Sequence, residues 1–291
     1  MLINHDFSGK NAAGINNDCF SARMEDMKVC LFPNDQPQSL AVADVLKNKL
    51  EAAGQEVSSR QPDLVVSIGG DGTFLSAVHQ FSNQLANIRF VGVHTGHLGF
   101  YSDWLVDELD DLVDKIAHDH GQLNEYPLME GEVFYADGQV AEILAVNEII
   151  LNRITNSLAI DVYINDVLFE KFRGDGLAVS TPAGSSGYNK SLGGALIDPD
   201  FAALQMTEIA SINNRVYRTL GSPIIVSADT RIRVVLEVGN STINYDSFQL
   251  PQVAYRQILF KISKEPLKMA NYKQISFWQR VKNSFIGDGH Q

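Results

Sequence analysis

The mostly apolar run Leu64–Ile68 leads without a break into Gly69-Gly70-Asp71-Gly72-Thr73, and a helix-patterned stretch follows at once. A short strand that turns through glycines into a helix belongs to an architecture in which parallel strands are covered by helices. The neighbouring segments agree. Lys28–Phe32 reads as a first strand. Leu40–Ala53 reads as a helix, because Val42, Val45, Leu46, Leu50 and Ala53 recur at steps of three and four. Gly72–Asn83 is the next predicted helix, Arg89–Val93 a strand, and Trp104–Ala117 a helix with Leu105, Leu109, Leu112, Val113 and Ile116 on one face. The carboxylates of that last stretch, Asp107, Glu108, Asp110, Asp111 and Asp114, read as its solvated face rather than as a metal site.

From about Gln122 the pattern changes to paired β runs. Asp137-Gly138, Asn165-Asp166 and Gly239-Asn240 each separate two such runs, and two-residue turns of this chemistry fold one strand back on the next. The expected organisation is an α/β domain with a parallel sheet and flanking helices over 27–121, then a β-rich substrate-binding domain over 122–270. A C-terminal helix over 271–291 would pack Phe277, Trp278, Val281 and Phe285 back on the first domain. Residues 1–26 read as a loose tail, with Met24 or Met27 as an alternative start.

Composition narrows the function. The net charge of −12 argues against a nucleic-acid binder, which needs a basic face to follow phosphates. No apolar run approaches the roughly eighteen residues of a membrane helix, and the Asn-rich start lacks the pattern of a secretory signal. Two cysteines, Cys19 and Cys30, make no disulfide framework, so a reducing cytoplasm is the expected setting. Neither a Walker A sequence nor a G-x-G-x-x-G after the first strand is present.

The glycine loop itself fits phosphate. Gly69, Gly70 and Gly72 let backbone N–H groups approach phosphate oxygens, Thr73 adds a hydroxyl, and the helix N-terminus favours negative charge. A carboxylate in the middle of such a loop would repel phosphate unless it takes a proton or meets a metal. Asp71 is therefore a candidate general base or Mg²⁺ partner in phosphoryl transfer, the plainer alternative being that it caps the following helix. His94 and His97 lie three residues apart with no third ligand evident, and read as loop residues contacting substrate or backbone.

Gly-Gly-Asp-Gly-Thr is shared by NAD kinases, lipid kinases of the diacylglycerol type and, as a variant, phosphofructokinases; downstream segments discriminate. Gly92–Phe100, the pair Asn147-Glu148, the run Arg173–Tyr188 and Ala210–Arg215 occur in that order. Together they resemble the signatures of ATP-dependent NAD kinases of Gram-positive bacteria, over roughly residues 28–286. The resemblance implies transfer of the γ-phosphoryl group of ATP, with Mg²⁺, to the 2′-hydroxyl of the adenosine ribose of NAD. It implies that Asp71 acts on that hydroxyl, with Gly72 lining the pocket and Phe100 bordering the nucleotide. Asn147 and Glu148 would hold the adenosine. Asp175 would bind the nicotinamide amide, with Arg173 beside it and Ala210 from the same region or a neighbouring subunit. Ala183, Ser186, Gly187, Tyr188, Asn189 and Ser191 would wrap adenine and ribose. A homodimer or homotetramer is implied as well.

Each residue also has a plainer reading: Tyr188 and Phe100 as core aromatics, Asn147 and Ser186 as turn residues, Arg173 with Asp175 as a surface ion pair. Two departures stand out. Many family members have Thr-Gly-Ser-Thr-Ala-Tyr where this chain has Ala183–Tyr188, and Gly187 is expected to loosen the backbone there. Asp246 is followed by Ser247 where the family often has Asp-Gly, and no role is carried over to Ser247. Two rival readings are a lipid kinase and a non-catalytic nucleotide sensor that retains the pocket.

Overall fold

The computed structural model describes residues 27–96, 99–153, 156–237 and 241–287. The predicted tail with Met24 and Cys19, His97, and the Gly239-Asn240 turn lie outside these residues. The N-terminal elements are β1 (Lys28–Pro33), α1 (Pro37–Ala52), β2 (Glu56–Val57), β3 (Leu64–Ile68), α2 (Asp71–Gln80), β4 (Arg89–His94), β5 (Trp104–Leu105), α3 (Leu109–Ala117) and β6 (Leu123–Tyr126). Helices intervene between the main strands, so these pair in parallel in the order β2-β1-β3-β4, with β5 beside β4. Alternation along β3 sends Leu64, Val66 and Ile68 to one face, against Leu46, Leu50, Leu112 and Ile116. Val65 points the other way, with Phe90, against Phe74 and Val78 of α2. Helices α1 and α3 thus cover one face and α2 the other.

Two predicted boundaries change for physical reasons. Helix α1 starts three residues early because Pro37 suits the first turn, where no N–H is needed. Trp104-Leu105 is a strand instead of the start of a helix: Trp104, buried, pairs with Val93 at the sheet edge, and tertiary pairing overrides the helical spacing.

The second part contains β7 (Met129–Tyr135), β8 (Val140–Ala145), β9 (Glu148–Asn152), β10 (Leu158–Ile164), β11 (Val167–Gly174) and β12 (Gly176–Ser180). A 3-10 turn (Ala183–Ser186) and α4 (Tyr188–Ser191) interrupt the strands. Then come β13 (Ala203–Ile209), β14 (Ile224–Ser227), β15 (Ile232–Leu236), β16 (Thr242–Tyr245), β17 (Phe248–Gln249) and β18 (Tyr255–Ile262). They form two antiparallel sheets, β11-β10-β15-β18-β7-β8 and β14-β13-β12-β9-β16-β17. Residues from both, among them Val133, Leu151, Ile160, Phe172, Val179, Leu204, Val234 and Phe260, share one core, which makes the pair a sandwich.

The hairpin expectations divide. Asn165 (φ 47°) and Asp166 (φ 64°) both take positive φ and join β10 to β11 as a two-residue turn. At Asp137-Gly138 the loop is one residue longer: the Gly138 N–H donates to the Tyr135 carbonyl, and only the glycine has positive φ (92°). The third expected hairpin is not one. β15 lies in one sheet of the sandwich and β16 in the other, so the two strands do not pair.

The chain finally returns to the first sheet. β19 (Leu267–Ala270) pairs parallel with β4 and antiparallel with β6, completing seven strands. Helix α5 (Phe277–Phe285) follows, capped by the Ser276 hydroxyl, which accepts from the Gln279 N–H. Of its expected anchors, Val281 is buried, but Trp278 and Phe285 are half exposed. The buried partner of Val281 is Arg280, whose guanidinium donates to both carboxylate oxygens of Asp103 (2.9 and 2.6 Å) and to the Tyr126 hydroxyl (3.3 Å). No helix among the described residues is long and apolar enough to cross a membrane.

Candidate active site

The loop after β3 lies at the C-terminal edge of the parallel strands, beside the loops that follow β1 and β4. Gly69 has φ 155°, and a Cβ there would meet the Thr73 hydroxyl at 2.2 Å and the Asn34 amide at 2.7 Å. Only glycine fits. At Gly70 and Gly72 a Cβ would meet nothing within 4 Å, so both face open space. The hydroxyl of Thr73 is held by the Asn34 Nδ2 group at 3.1 Å.

Asp71 does not cap its helix. It occupies the first helical position of α2, and its Oδ2 and Oδ1 accept the backbone N–H groups of Phe100 (2.9 Å) and Tyr101 (3.1 Å). The second glycine-rich segment thereby fixes the carboxylate from across the site. Gly99 makes this approach possible, since a Cβ there would lie 2.1 Å from Asp71 Oδ1. His94 is buried, with Nδ1 2.9 Å from the Gly96 carbonyl, a backbone contact of the kind expected for it.

The sandwich meets this loop through the corner Val146-Asn147-Glu148, between β8 and β9. Val146 and Ala183 are buried in the α2-side core of the first domain, which seats the corner. The Tyr101 hydroxyl donates to Asn147 Oδ1 at 2.5 Å, and its ring stacks on Phe74 (4.8 Å). Burial and the Asp246, Asp71 and Glu148 carboxylates hold the Tyr101 phenol well above its usual range. Glu148 is buried, and its Oε2 has no hydrogen-bond partner. Burial, then the neighbouring Asp246 carboxylate, push its carboxyl up to about 8, so it carries a proton at neutral pH.

The turn after β12 packs on the same corner. The Asn147 carbonyl accepts the Thr181 N–H at 2.8 Å, and Gly184 comes so close that a Cβ would lie 2.1 Å from that carbonyl. A Cβ at Gly187 would meet the Gly184 carbonyl at 3.3 Å and Glu148 Oε2 at 3.5 Å, so the space beside Glu148 nearly admits a methyl. Ala183 and Ser186 are buried, Ser186 donating to the Ala183 carbonyl, while Gly187, Tyr188 and Ser191 are exposed at the rim. Asn189 is fully buried: its amide donates to the Ser185 and Ala195 carbonyls and accepts from the Thr207 hydroxyl. It holds the turn from inside.

Arg173, Asp175 and Ala210 form a separate group. They lie at the other end of β12 from Ala183, roughly 17 Å away by strand geometry. Arg173 and Asp175 are not an ion pair. The guanidinium donates to the Ser157 hydroxyl (2.7 Å) and the Tyr217 hydroxyl (2.6 Å), and Asp175 is exposed. Ala210 takes a positive φ of 46° beside Gly174.

Three site residues escaped the sequence reading: Tyr101, His79 and Asp246. Asp246 is the hub, its buried carboxylate accepting the N–H groups of Val146 (2.9 Å), Asn147 (2.7 Å) and Glu148 (3.3 Å). The only available signal was position: Tyr101 directly follows the glycine segment, and Asp246 occupies a noted family position. Among the described residues, no three His, Cys, Asp or Glu side chains are grouped to hold a metal.

Comparison with known proteins follows the same division. Residues 15–121 match the ATP-NAD kinase N-terminal domain and residues 146–251 the ATP-NAD kinase C-terminal domain. The NAD kinase of Limosilactobacillus reuteri is 46% identical over 270 residues, covering 91% of this chain and all of the relative. That of Levilactobacillus brevis is 48% identical, covering 90% of this chain and 98% of the relative. Among solved structures, yeast NADH kinase complexed with NADH superposes with a TM-score of 0.78 at 20% identity, covering 91% of this chain and 89% of its own. An NAD kinase from Archaeoglobus fulgidus in complex with ATP gives 0.70 at 20% identity, with coverage of 89% and 97%. At that identity the two structures speak for the fold.

Proposed function

The chain belongs to the NAD kinase family and is an enzyme that phosphorylates NAD; from that premise we propose that Asp71 takes the proton of the 2′-hydroxyl of the adenosine ribose. The observation that carries this reading is the carboxylate of Asp71, held by two amides from outside its own helix while the Gly70 and Gly72 backbone faces open space. The 2′-oxygen attacks the γ-phosphorus in line, the bond to the β,γ-bridging oxygen breaks, and ADP leaves. The hydroxyl proton passes to Asp71. Positioning supplies much of the acceleration.

The amides of Gly69–Thr73 and the start of α2 suit the ATP phosphates. Asn147 and Glu148 suit the adenosine, since a protonated Glu148 offers both a donor and an acceptor. Ala183, Ser186, Gly187, Tyr188 and Ser191 surround that pocket, Phe100 borders it, and Asn189 serves as its scaffold. Among the described residues no three metal-ligating side chains are grouped; Mg²⁺ keeps several waters and would arrive on the triphosphate, with Asp71 as the carboxylate that the loop offers it. Bound there it would neutralise phosphate charge.

Arg173, Asp175 and Ala210 reach the nicotinamide half only of an extended dinucleotide, or across a contact with a second copy in a homodimer or homotetramer. A cytoplasmic setting agrees with Cys30, free and buried.

The test is NADP formation from NAD, ATP and Mg²⁺, read through an NADP-specific dehydrogenase. In Asp71→Asn, turnover is expected to fall by about 10²–10⁴-fold with NAD binding retained. Near-normal turnover would eliminate the proton-acceptor role.

A further inference from the structure

Helix α2 carries Asp71 at its first turn and His79 in its last, about 12 Å apart along the axis. His79 Nε2 lies 2.8 Å from Asp246 Oδ2. Its ring stands edge-on between Tyr245 (5.6 Å) and Phe248 (4.6 Å) of the second sandwich sheet, and 14% of its side chain is exposed. The side chain of Asp246 is fully buried at a β16–β17 turn where the residue takes φ 48°, and its own N–H donates to the Glu148 carbonyl. A buried carboxylate is stable only when its oxygens are filled, and here they are filled by the Val146 and Asn147 amides and by His79. The corner that presents Asn147 and Glu148 therefore hangs from Asp246, and Asp246 is tied to the helix that carries Asp71.

We propose that His79 is a positioning residue for the reaction: through Asp246 it sets the Asn147-Glu148 corner, and with it the ribose of NAD, relative to Asp71. This rests on assigning Asn147 and Glu148 to the adenosine half. The Gly69–Thr73 loop, assigned to the ATP phosphates, has supports independent of Asp246: Asn34 holds the Thr73 hydroxyl, and Phe100 and Tyr101 hold the Asp71 carboxylate. Losing the tie thus disturbs NAD and spares ATP.

Two polar replacements separate positioning from bulk packing. The amide nitrogen of Gln stands where Nε2 stands and still reaches Asp246; that of Asn stands nearer Nδ1 and does not. In His79→Asn, kcat/KM for NAD is expected to fall about tenfold or more while KM for ATP changes less than about twofold. His79→Gln is expected to restore kcat/KM for NAD to within about threefold. The proposal is overturned if His79→Asn retains wild-type NAD kinetics, if Gln and Asn are equally impaired, or if NAD and ATP parameters worsen together. Asn147→Ala is measured alongside. Unchanged NAD kinetics there would remove the site assignment itself, whereas a defect in Asn147→Ala beside an unaffected His79→Asn would remove only the role of His79.

Discussion

A methyl group at Gly99 would lie 2.1 Å from Oδ1 of Asp71, so Gly99→Ala must displace either the carboxylate or the loop that holds it. A misplacement of about 1 Å costs on the order of 10²-fold in rate. That drop is expected in kcat, measured at saturating NAD and ATP, while circular dichroism stays native. Glu148 makes a different prediction. Its carboxyl rises from 4.5 in the unfolded chain to about 8 in the fold, so between those values the native state holds a proton that the unfolded chain has released. The stability this group contributes is complete below about pH 4.5 and is lost as pH rises through about 8. Urea unfolding from about pH 5 to about pH 8 should show Glu148→Gln gaining on the wild type by on the order of a few kcal/mol. The placement of Asp71, in a glycine loop that opens a helix, was legible in the sequence because loop and helix are contiguous. Tyr101, His79 and Asp246 were not, because their roles arise from contacts 30, 167 and 100 residues away.

At the scale of elements, α5 shows where periodicity informs and where it misleads. Its helical spacing was readable, but its buried face is made by Arg280 with Val281, and the arginine's place depends on Asp103, 177 residues earlier. Breaking such a buried pair leaves a charge without its partner. Arg280→Ala is expected to lower the unfolding free energy by about 3 kcal/mol, measured by urea titration, whereas Trp278→Ala at a half-exposed position should cost far less. The turns teach the same distinction. Asn165-Asp166 and Gly239-Asn240 have similar chemistry, yet only the first joins strands that pair. Turn residues specify a reversal locally, but whether the next strand pairs with the last or joins the other sheet depends on distant partners. β16 pairs with β9, about ninety residues back along the chain.

Across the whole molecule, the fold class was legible because each half repeats one pattern, strand and helix first and β runs afterwards. The seam between the halves was not. β6 and β19 fall inside the stretch read as β-rich, yet both hydrogen-bond into the first sheet, their membership decided by pairing with each other and with β4. The candidate site lies on that seam, with Asp71 from one half and the Asn147-Glu148 corner from the other. The return of β19 also bears on how the protein comes into being. A chain emerging from the ribosome makes its glycine loop before the sandwich, but on that side β4 has only the short β5, beside Val93 and His94, until β19 arrives to pair at Phe90. Until then the N-terminal part of β4 is an open edge. The first half of the enzyme is thus the earliest to be made, yet its sheet is completed only after the sandwich has followed it.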